Sequence, residues 1–165
     1  MSLTPTQKLH VRESISRYCE GAFKNEPQIH YSQQRPFTYN DNIGVGYHVL
    51  DCSAFVGNCF WNAMHDLKVY LHDVCNYKYS GWGNTGSIES YLRSSGKVVV
   101  EANGYLVGDV ARWGQGDHAH VGICCKDGTA GTARFASHGR EAGPYPVELH
   151  YRSDFVGCWR HPALL

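Results

Sequence analysis

The chain has 165 residues, of which 42% are hydrophobic and 13% aromatic. This length suits a single domain with a sizeable core, spanning residues 1–165, and leaves too little chain for a second one. Fifteen basic side chains balance fifteen acidic ones, so charge gives no indication of a nucleic-acid or membrane partner. The sequence has no apolar run long enough for a transmembrane helix. High aromatic and low charged content predict a globular protein with a groove for a polar, neutral or zwitterionic ligand.

The cysteines follow no regular spacing, and their odd number leaves at least one of them unpaired. They lie at positions 19, 52, 59, 75, 124, 125 and 158. Such a set indicates folding in a reducing compartment rather than secretion. Residues 1–5 do not have a basic stretch followed by an apolar one, so we expect no signal peptide and synthesis in a cytoplasm.

The N-terminal segment predicts a helix. Thr4 and Pro5 are residue types favoured at the N-cap and at the first helical position, and apolar residues at helical spacing continue to about Gly21. Residues 25–49 are rich in Pro, Gln, Asn, Gly and Tyr and have no sustained period. They predict a long irregular segment.

A second helix is predicted over residues 53–66, where apolar residues form one helical stripe. Its start carries the most informative feature of the chain, the tripeptide Asp51-Cys52-Ser53. A helix N-terminus presents unpaired N–H groups and the positive end of the peptide dipoles, so the Cys52 thiol is expected to favour the thiolate. The alternative for Cys52 is a small buried cysteine without a chemical role, which is what we expect for Cys59 within the stripe.

A short third helix follows the segment 77–86, which is rich in Gly, Tyr, Trp and Asn. It is predicted to carry Ile88, Tyr91 and Leu92 on one face and to end near Gly96. The rest of the sequence predicts strands at 98–100, 120–125, 134–138, 147–151 and 155–160. Residues 108–110 are predicted to start a further strand or to form its turn. Helices first and strands afterwards indicate the α+β class, with N-terminal helices packed on an antiparallel sheet of about five to six strands.

His120 is the first residue of one of these predicted strands. Residues 126–131 have turn composition, and a hairpin folded symmetrically about Thr129 pairs His120 with His138. Directly opposed residues have Cβ atoms about 5 Å apart, close enough for one imidazole to orient the other. A bulge would change this register, and the alternative is two surface histidines on a half-exposed hairpin. Cys52 and His120 together suggest a thiol nucleophile with an imidazole base.

Four segments, in this order, resemble the NlpC/P60 cell-wall peptidases: Asp-Cys-Ser-Ala-Phe-Val at 51–56, Gly-Asp-Val at 108–110, His-Val-Gly-Ile at 120–123 and Ala-Ser-His-Gly at 136–139. The segment 137–144 and the helix start at Thr85 and Gly86 are further similar to NlpC/P60-type lysins encoded by bacteriophages, especially those of actinobacteria. The resemblance covers about residues 28–160, and it is specific as an ordered set although each fragment alone is weak.

The resemblance implies a papain-like α+β fold and a peptidoglycan hydrolase that cleaves an amide bond of the stem peptide. It implies that Cys52 is the nucleophile, that His120 is the general base and then the acid, and that His138 holds the His120 ring. We expect no cofactor and no metal. We expect a monomer that acts at the bacterial cell wall, either as an endolysin released late in infection or as a lysin carried in the virion.

Three further residues are predicted to bind substrate. Tyr31 resembles the tyrosine that precedes the cysteine in this family and would support the oxyanion or the substrate. Asp51 would bind a free amine of a stem peptide or cap the helix, and Ser53 would contact substrate or satisfy its own helix end. The sequence departs from the family at Ala54, where glycine is usual, and in the aromatic segment 70–82.

Three alternatives stay open. A CHAP-type amidase, which cuts between the sugar and the first alanine, would use cysteine and histidine in the same order. A non-catalytic wall-binding module is disfavoured because Cys52, His120 and His138 are all retained. A zinc site is the main rival, although two of its cysteines are adjacent and should point to opposite faces of a strand. The side chains available to zinc are Asp117, His118, His120, Cys124, Cys125 and His138.

Overall fold

The computed structural model of the chain describes residues 2–139 and 143–165. Its helices are α1 (Pro5–Lys24), α2 (Cys52–Leu67) and α3 (Thr85–Ser95). Its strands are β1 (Ile29–Tyr31), β2 (His48–Leu50), β3 (Lys97–Val98), β4 (Val110–Trp113), β5 (His120–Lys126), β6 (Arg134–Ser137), β7 (Tyr145–Val147) and β8 (Phe155–Arg160). In the two described ranges, no helix combines the length and the apolar character that crossing a membrane requires.

The architecture is α+β, as the sequence predicted. Strands β1 and β2 form a small parallel pair, and the other six strands form one antiparallel sheet in the order β3-β8-β4-β5-β6-β7. Helices α1 and α2 pack on each other and on β5, and α3 packs near β3 and β8. The helices therefore cover one face of the sheet.

Helix α1 begins where its sequence predicts. The Thr4 side chain accepts a hydrogen bond from the Gln7 N–H at 3.1 Å, and the Gln7 side chain accepts one from the Thr4 N–H at 2.9 Å. This reciprocal pair satisfies two backbone donors at the helix start. The helix ends at Lys24, slightly beyond the predicted end at Gly21.

Helix α2 is the central element of the core. Every residue from Cys52 to Phe60 is buried, because α2 has α1 on one side and β5 on the other. Cys59 is fully buried, with its sulfur 3.7 Å from the sulfur of Cys19 on α1. The predictions of a central helix and of a packing role for Cys59 are confirmed.

The predicted strands at 120–125, 134–138 and 155–160 are confirmed to within one residue. The predicted strand at 147–151 is wrong, because the strand is Tyr145–Val147 and the chain then turns. Leu149 contributed to the strand prediction because it is apolar. It lies in the turn, and its side chain is fully buried. Strands β1 and β2 lie in the segment predicted to be irregular, and at three residues each they are too short to give a recognisable period.

The register of the β5–β6 hairpin differs from the predicted one. Gly122 lies opposite Ser137 and Ile123 lies opposite Ala136, with an irregularity between Cys124 and Lys126. This bulge shifts the pairing by one residue relative to a symmetric hairpin, and a shift of one residue reverses the face on which a side chain lies. The prediction that His120 faces His138 is therefore wrong.

The sheet has apolar side chains on both faces. Val121, Ile123 and Cys125 belong to the core shared with the helices, whereas Cys124 and Phe135 belong to a second cluster on the other face. Cys124 and Cys125 therefore point to opposite faces, as expected for neighbours on a strand.

Asp109 precedes β4 and carries the acidic side chain of the Gly-Asp-Val segment. Its carboxylate is fully buried and accepts two hydrogen bonds from Arg160 of β8, at 2.7 and 2.8 Å. It also accepts a hydrogen bond from the Leu106 N–H at 2.8 Å. The acidic residue of this segment thus joins the start of β4 to the end of β8.

Replacing this carboxylate should destabilise the fold. Asp109→Asn keeps the shape of the side chain but leaves Arg160 without its counter-charge, so we expect the free energy of unfolding to fall by about 3 kcal/mol. Glu101→Gln, the same change at an exposed carboxylate, should alter it by less than about 0.5 kcal/mol. Urea denaturation of the two variants measures both effects. Equal stability of the two variants would show that the ion pair is not important for the fold.

Candidate active site

Asp51 caps helix α2 and so positions Cys52, the first residue of that helix. One oxygen of the Asp51 carboxylate accepts hydrogen bonds from the Ala54 N–H at 2.8 Å and from the Ser53 hydroxyl at 2.7 Å. The other oxygen pairs with Arg35 at 2.7 Å. Asp51 is thus fully engaged as a helix cap, the second of its two predicted roles.

Ser53 has the same kind of role. Its side chain is fully buried, and its hydroxyl donates to Asp51. The prediction that Ser53 contacts substrate is therefore corrected: the hydroxyl satisfies the helix end and does not reach the surface.

The thiol of Cys52 lies between three elements. Its sulfur is 3.6 Å from the hydroxyl oxygen of Thr85, the first residue of α3. Backbone hydrogen bonds also reach it from Ser53 and from Val121, the second residue of β5. The sulfur is therefore near two helix starts and near the strand that carries His120.

Burial raises the pKa of the Cys52 thiol, and the nearby carboxylate of Asp51 raises it further. Hydrogen bonds from Val121, Thr85 and Ser53 lower the pKa but do not outweigh these two effects. The expected preference for the thiolate is therefore wrong for the resting structure. The helix N-terminus is present, but only 5% of the Cys52 surface is exposed and the charged form loses its hydration.

His120 lies on the face of the sheet opposite to the helices. It pairs with Trp113 of β4, and the centres of the two rings are 5.8 Å apart. Its Nε2 is 2.8 Å from the hydroxyl of Ser137 on β6. Its neighbour along the chain, Val121, is the residue whose backbone reaches the Cys52 thiol, and the His120 ring itself lines the cavity next to the one that Cys52 lines.

His138 has a different position from the predicted one. Its Nε2 donates to the carbonyl of Leu50 at 2.9 Å and lies 3.3 Å from the carbonyl of His30. The ring packs near Phe55 and Tyr31. His138 therefore holds the ends of β1 and β2, and the predicted contact in which it orients the His120 ring is corrected.

Burial lowers the pKa of His138, and the hydrogen bonds to the carbonyls of His30 and Leu50 offset part of that effect. The ring is consequently neutral at physiological pH. A neutral ring that donates through Nε2 fits a structural bond to the backbone just before Asp51.

Two adjoining cavities form a groove over these residues. One, of about 770 Å³, is lined by Cys52, and the other, of about 470 Å³, is lined by His120 and Tyr31. Three residues line both cavities: Gln33, Asp117 and Ala119. The predicted nucleophile therefore lines one of two neighbouring cavities, and the predicted base and Tyr31 line the other; together the two cavities have room for a peptide.

No protein-family model matches the sequence, and no curated protein matches it. Among solved structures, the chain is similar to a lipoprotein-like protein of the NLP/P60 family from Staphylococcus aureus subsp. aureus Mu50, with a TM-score of 0.52 and 15% sequence identity. The alignment covers 98% of this chain and 43% of that one. The chain has an NlpC/P60-like fold. It spans less than half the length of the protein that it matches, and at this identity the likeness concerns the fold.

Within this NlpC/P60-like fold, sequence reasoning missed three residues at the site. Ser137 adjoins the predicted His138, but only the bulge in β5 brings it to His120. Thr85 was noticed as a helix start and not as a neighbour of the thiol. Arg35 lies in the segment predicted to be irregular, and nothing in its sequence surroundings indicates its ion pair with Asp51.

The side chains suggested for zinc are not gathered at one point. Among residues 2–139 and 143–165, no three His, Cys, Asp or Glu side chains form a group that could hold a metal ion. Cys124 and Cys125 lie on opposite faces of β5. His120 contacts the hydroxyl of Ser137, whereas His138 binds the carbonyl of Leu50. The described residues do place the Cys52 thiol and the His120 imidazole in the walls of two neighbouring cavities.

The reactivity of the thiols can be measured directly. We expect iodoacetamide to label Cys52, which lines a cavity, faster than the enclosed Cys59. Because the pKa of Cys52 is raised, its labelling rate should continue to increase with pH beyond the pH at which an ordinary thiol is fully ionised. Thr85→Val removes a hydroxyl that lowers the thiol pKa, so it should slow labelling of Cys52 at neutral pH about two- to fivefold. Mass spectrometry of digests after brief labelling measures these rates.

Thr6→Val, on the exposed side of α1, is the matched control and should leave the rate at Cys52 unchanged. Unchanged or faster labelling of Cys52 in Thr85→Val would show that the Thr85 hydroxyl does not act on the thiol.

Proposed function

We propose that the protein is a peptidoglycan hydrolase, a cysteine peptidase that cleaves an amide bond of the stem peptide. The observation that carries this proposal is the position of the Cys52 thiol, at the start of α2 and against the first residues of β5, which carries His120. The NlpC/P60-like fold and the peptide-sized groove support the same reading.

The chemistry follows from the resting state of the thiol. Because burial keeps Cys52 protonated, His120 takes the proton from sulfur as the sulfur attacks the substrate carbonyl. Backbone N–H groups at the start of α2 stabilise the oxyanion. The imidazolium then protonates the leaving amine, and His120 activates a water molecule that hydrolyses the thioester and restores the thiol.

The substrate proposal is the peptide part of bacterial peptidoglycan, with no cofactor and with a monomeric enzyme. The groove supports it because its walls carry polar side chains and one exposed carboxylate, Asp117, suited to a peptide with several polar groups. Tyr31 lines the His120 side of the groove and is proposed to contact this substrate. Asp51 lines the Cys52 cavity and, through its cap, sets the position of Cys52.

A bacteriophage lysin is the proposed biological setting. The support is the sequence likeness over 137–144, of which residues 140–142 lie outside the described residues. All seven cysteines lie in the described residues and are unpaired, which fits folding in a reducing cytoplasm before release to the wall during lysis or from a virion.

A CHAP-type amidase is the second candidate. A third-position histidine favoured the NlpC/P60 peptidases over it, but in the structure His120 contacts Ser137 while His138 binds the carbonyl of Leu50. The proposed catalytic pair alone therefore does not distinguish the peptidase from the amidase. Identifying the bond that is cut does distinguish them.

Digestion of purified peptidoglycan, with mass spectrometry of the fragments, tests the proposal. We expect the protein to produce new amine and carboxyl ends within the stem peptide, and Cys52→Ala to reduce this activity to below about 1% without lowering the thermal midpoint much. Cys59→Ala is the matched control, since it removes a buried thiol away from the groove and should keep the activity.

Fragments cut between the sugar and the first alanine would replace the peptidase proposal with the amidase. Full activity of Cys52→Ala would exclude the thiol mechanism, and an inactive wild-type protein that is folded would leave the non-catalytic binding module as the better description.

A further inference from the structure

We propose that Ser137, backed by Tyr151, is the residue that positions the His120 ring, in the place expected of His138. The catalytic meaning of this role rests on the proposed function. The contact itself does not, and the experiment below measures it without relying on activity.

The hydrogen bonds form a short chain. His120 Nε2 is 2.8 Å from the Ser137 hydroxyl, and that hydroxyl is 3.4 Å from the Tyr151 hydroxyl. Ser137 is 3% exposed and His120 is 8% exposed. Water competes little for these groups, so the bond is stronger than it would be at the surface.

Trp113 holds both ends of this chain in place. Its ring centre is 5.8 Å from that of His120 and 5.3 Å from that of Tyr151, the second contact being edge-to-face. Its indole N–H donates to the carbonyl of Leu149 at 2.7 Å, which fixes the turn leading to Tyr151. A single buried indole thus sets the relative position of the imidazole and the phenol.

The backbone explains why Ser137 reaches His120 and His138 does not. Gly122 lies opposite Ser137, and His120, two residues earlier on β5, has its side chain on that same face. A Cβ atom at Gly122 would lie 2.9 Å from the carbonyl of Ala136 and 3.1 Å from the Trp113 ring. Gly122 therefore allows β6 and Trp113 to come close on the side where His120 lies.

In this proposal Ser137 donates its own proton to the Tyr151 oxygen and accepts from the His120 ring, so the bond selects one tautomer of His120. A serine oxygen that accepts from the ring needs the proton on Nε2, which makes Nδ1 the basic nitrogen of the neutral ring. The oxygen also favours the imidazolium over the neutral ring, because a hydrogen bond to a charged donor is stronger. A neutral partner does so less than a carboxylate would, so it orients the ring without holding it permanently charged.

Nuclear magnetic resonance of the protein labelled with nitrogen-15 at histidine tests the proposal. The His120 signals are assigned from their loss in His120→Gln. In the wild type we expect the neutral ring to carry its proton on Nε2. Ser137→Ala should mix the two tautomers and lower the titration midpoint of the ring by about half a pH unit. Ser137→Thr, which keeps the hydroxyl, should restore both properties, and Tyr151→Phe should have a smaller effect of the same sign.

His138→Gln is the matched control. It can still donate to the carbonyl of Leu50, and it should leave the His120 tautomer and titration unchanged. The titratable and charged groups around the two cavities, whose own titrations must be followed, are Tyr31, Arg35, Asp51, Cys52, Arg112, Asp117, His118, Tyr145, Tyr151 and Arg152.

If His120 titrates identically in Ser137→Ala and in the wild type, Ser137 does not position it. A change in His138→Gln without one in Ser137→Ala would return the role to His138. Either outcome overturns this proposal and leaves the proposed function intact, since that depends on the peptidoglycan digestion with Cys52→Ala. If the protein does not cleave peptidoglycan but the His120 resonances behave as expected, the proposed function is refuted and the contact between Ser137 and His120 is confirmed.

Where the protein is active, the same variants give a second readout. Ser137→Ala should lower kcat about tenfold with little change in KM, and Ser137→Thr should recover most of the loss. A purely structural role of Ser137 would lower the thermal midpoint in proportion and would not move the pH profile.

Discussion

The buried carboxylate of Asp51 is the contact on which the site depends. It caps α2, binds the Ser53 hydroxyl and pairs with Arg35, whose Nε also donates to the carbonyl of Gly83 at 2.9 Å. Gly83 lies just before the start of α3. The chain of contacts from Asp51 through Arg35 therefore ties together the two helix starts that flank the Cys52 thiol. Because the carboxylate has Arg35 as a counter-charge, it can remain buried beside the thiol.

This arrangement accounts for the state of the thiol. Two helix starts favour a negative charge, but the enclosure that they create removes the water that a thiolate needs, and Asp51 adds its own charge nearby. The balance of these effects favours the protonated thiol. His120, the proposed base, lies at the start of β5 with Trp113 and Ser137 around it. His138 acts on the helix side, where it holds the carbonyl of Leu50 directly before Asp51.

Local sequence signals predicted most of the fold and part of the site. Capping residues predicted the start of α1 and, within one residue, that of α2, and the order of helices and strands predicted the α+β class. Cys52 and His120 could be named because each lies at the start of an element. The partners of these residues could not be named, because Arg35 reaches Asp51 across an irregular segment. Likewise, one bulge near Cys124 decides whether Ser137 or His138 meets His120.

Protection of Cys52 by substrate fragments tests the central claim most directly, namely that the Cys52 thiol faces the peptide-binding groove. The measurement is the rate at which iodoacetamide labels Cys52 in His120→Ala, a variant expected to bind without turnover, with increasing amounts of purified stem-peptide fragments. The account predicts saturable slowing by the fragments and no slowing by glycan strands stripped of their peptides. Equal labelling at all fragment concentrations, or equal protection by the bare glycan, would contradict it.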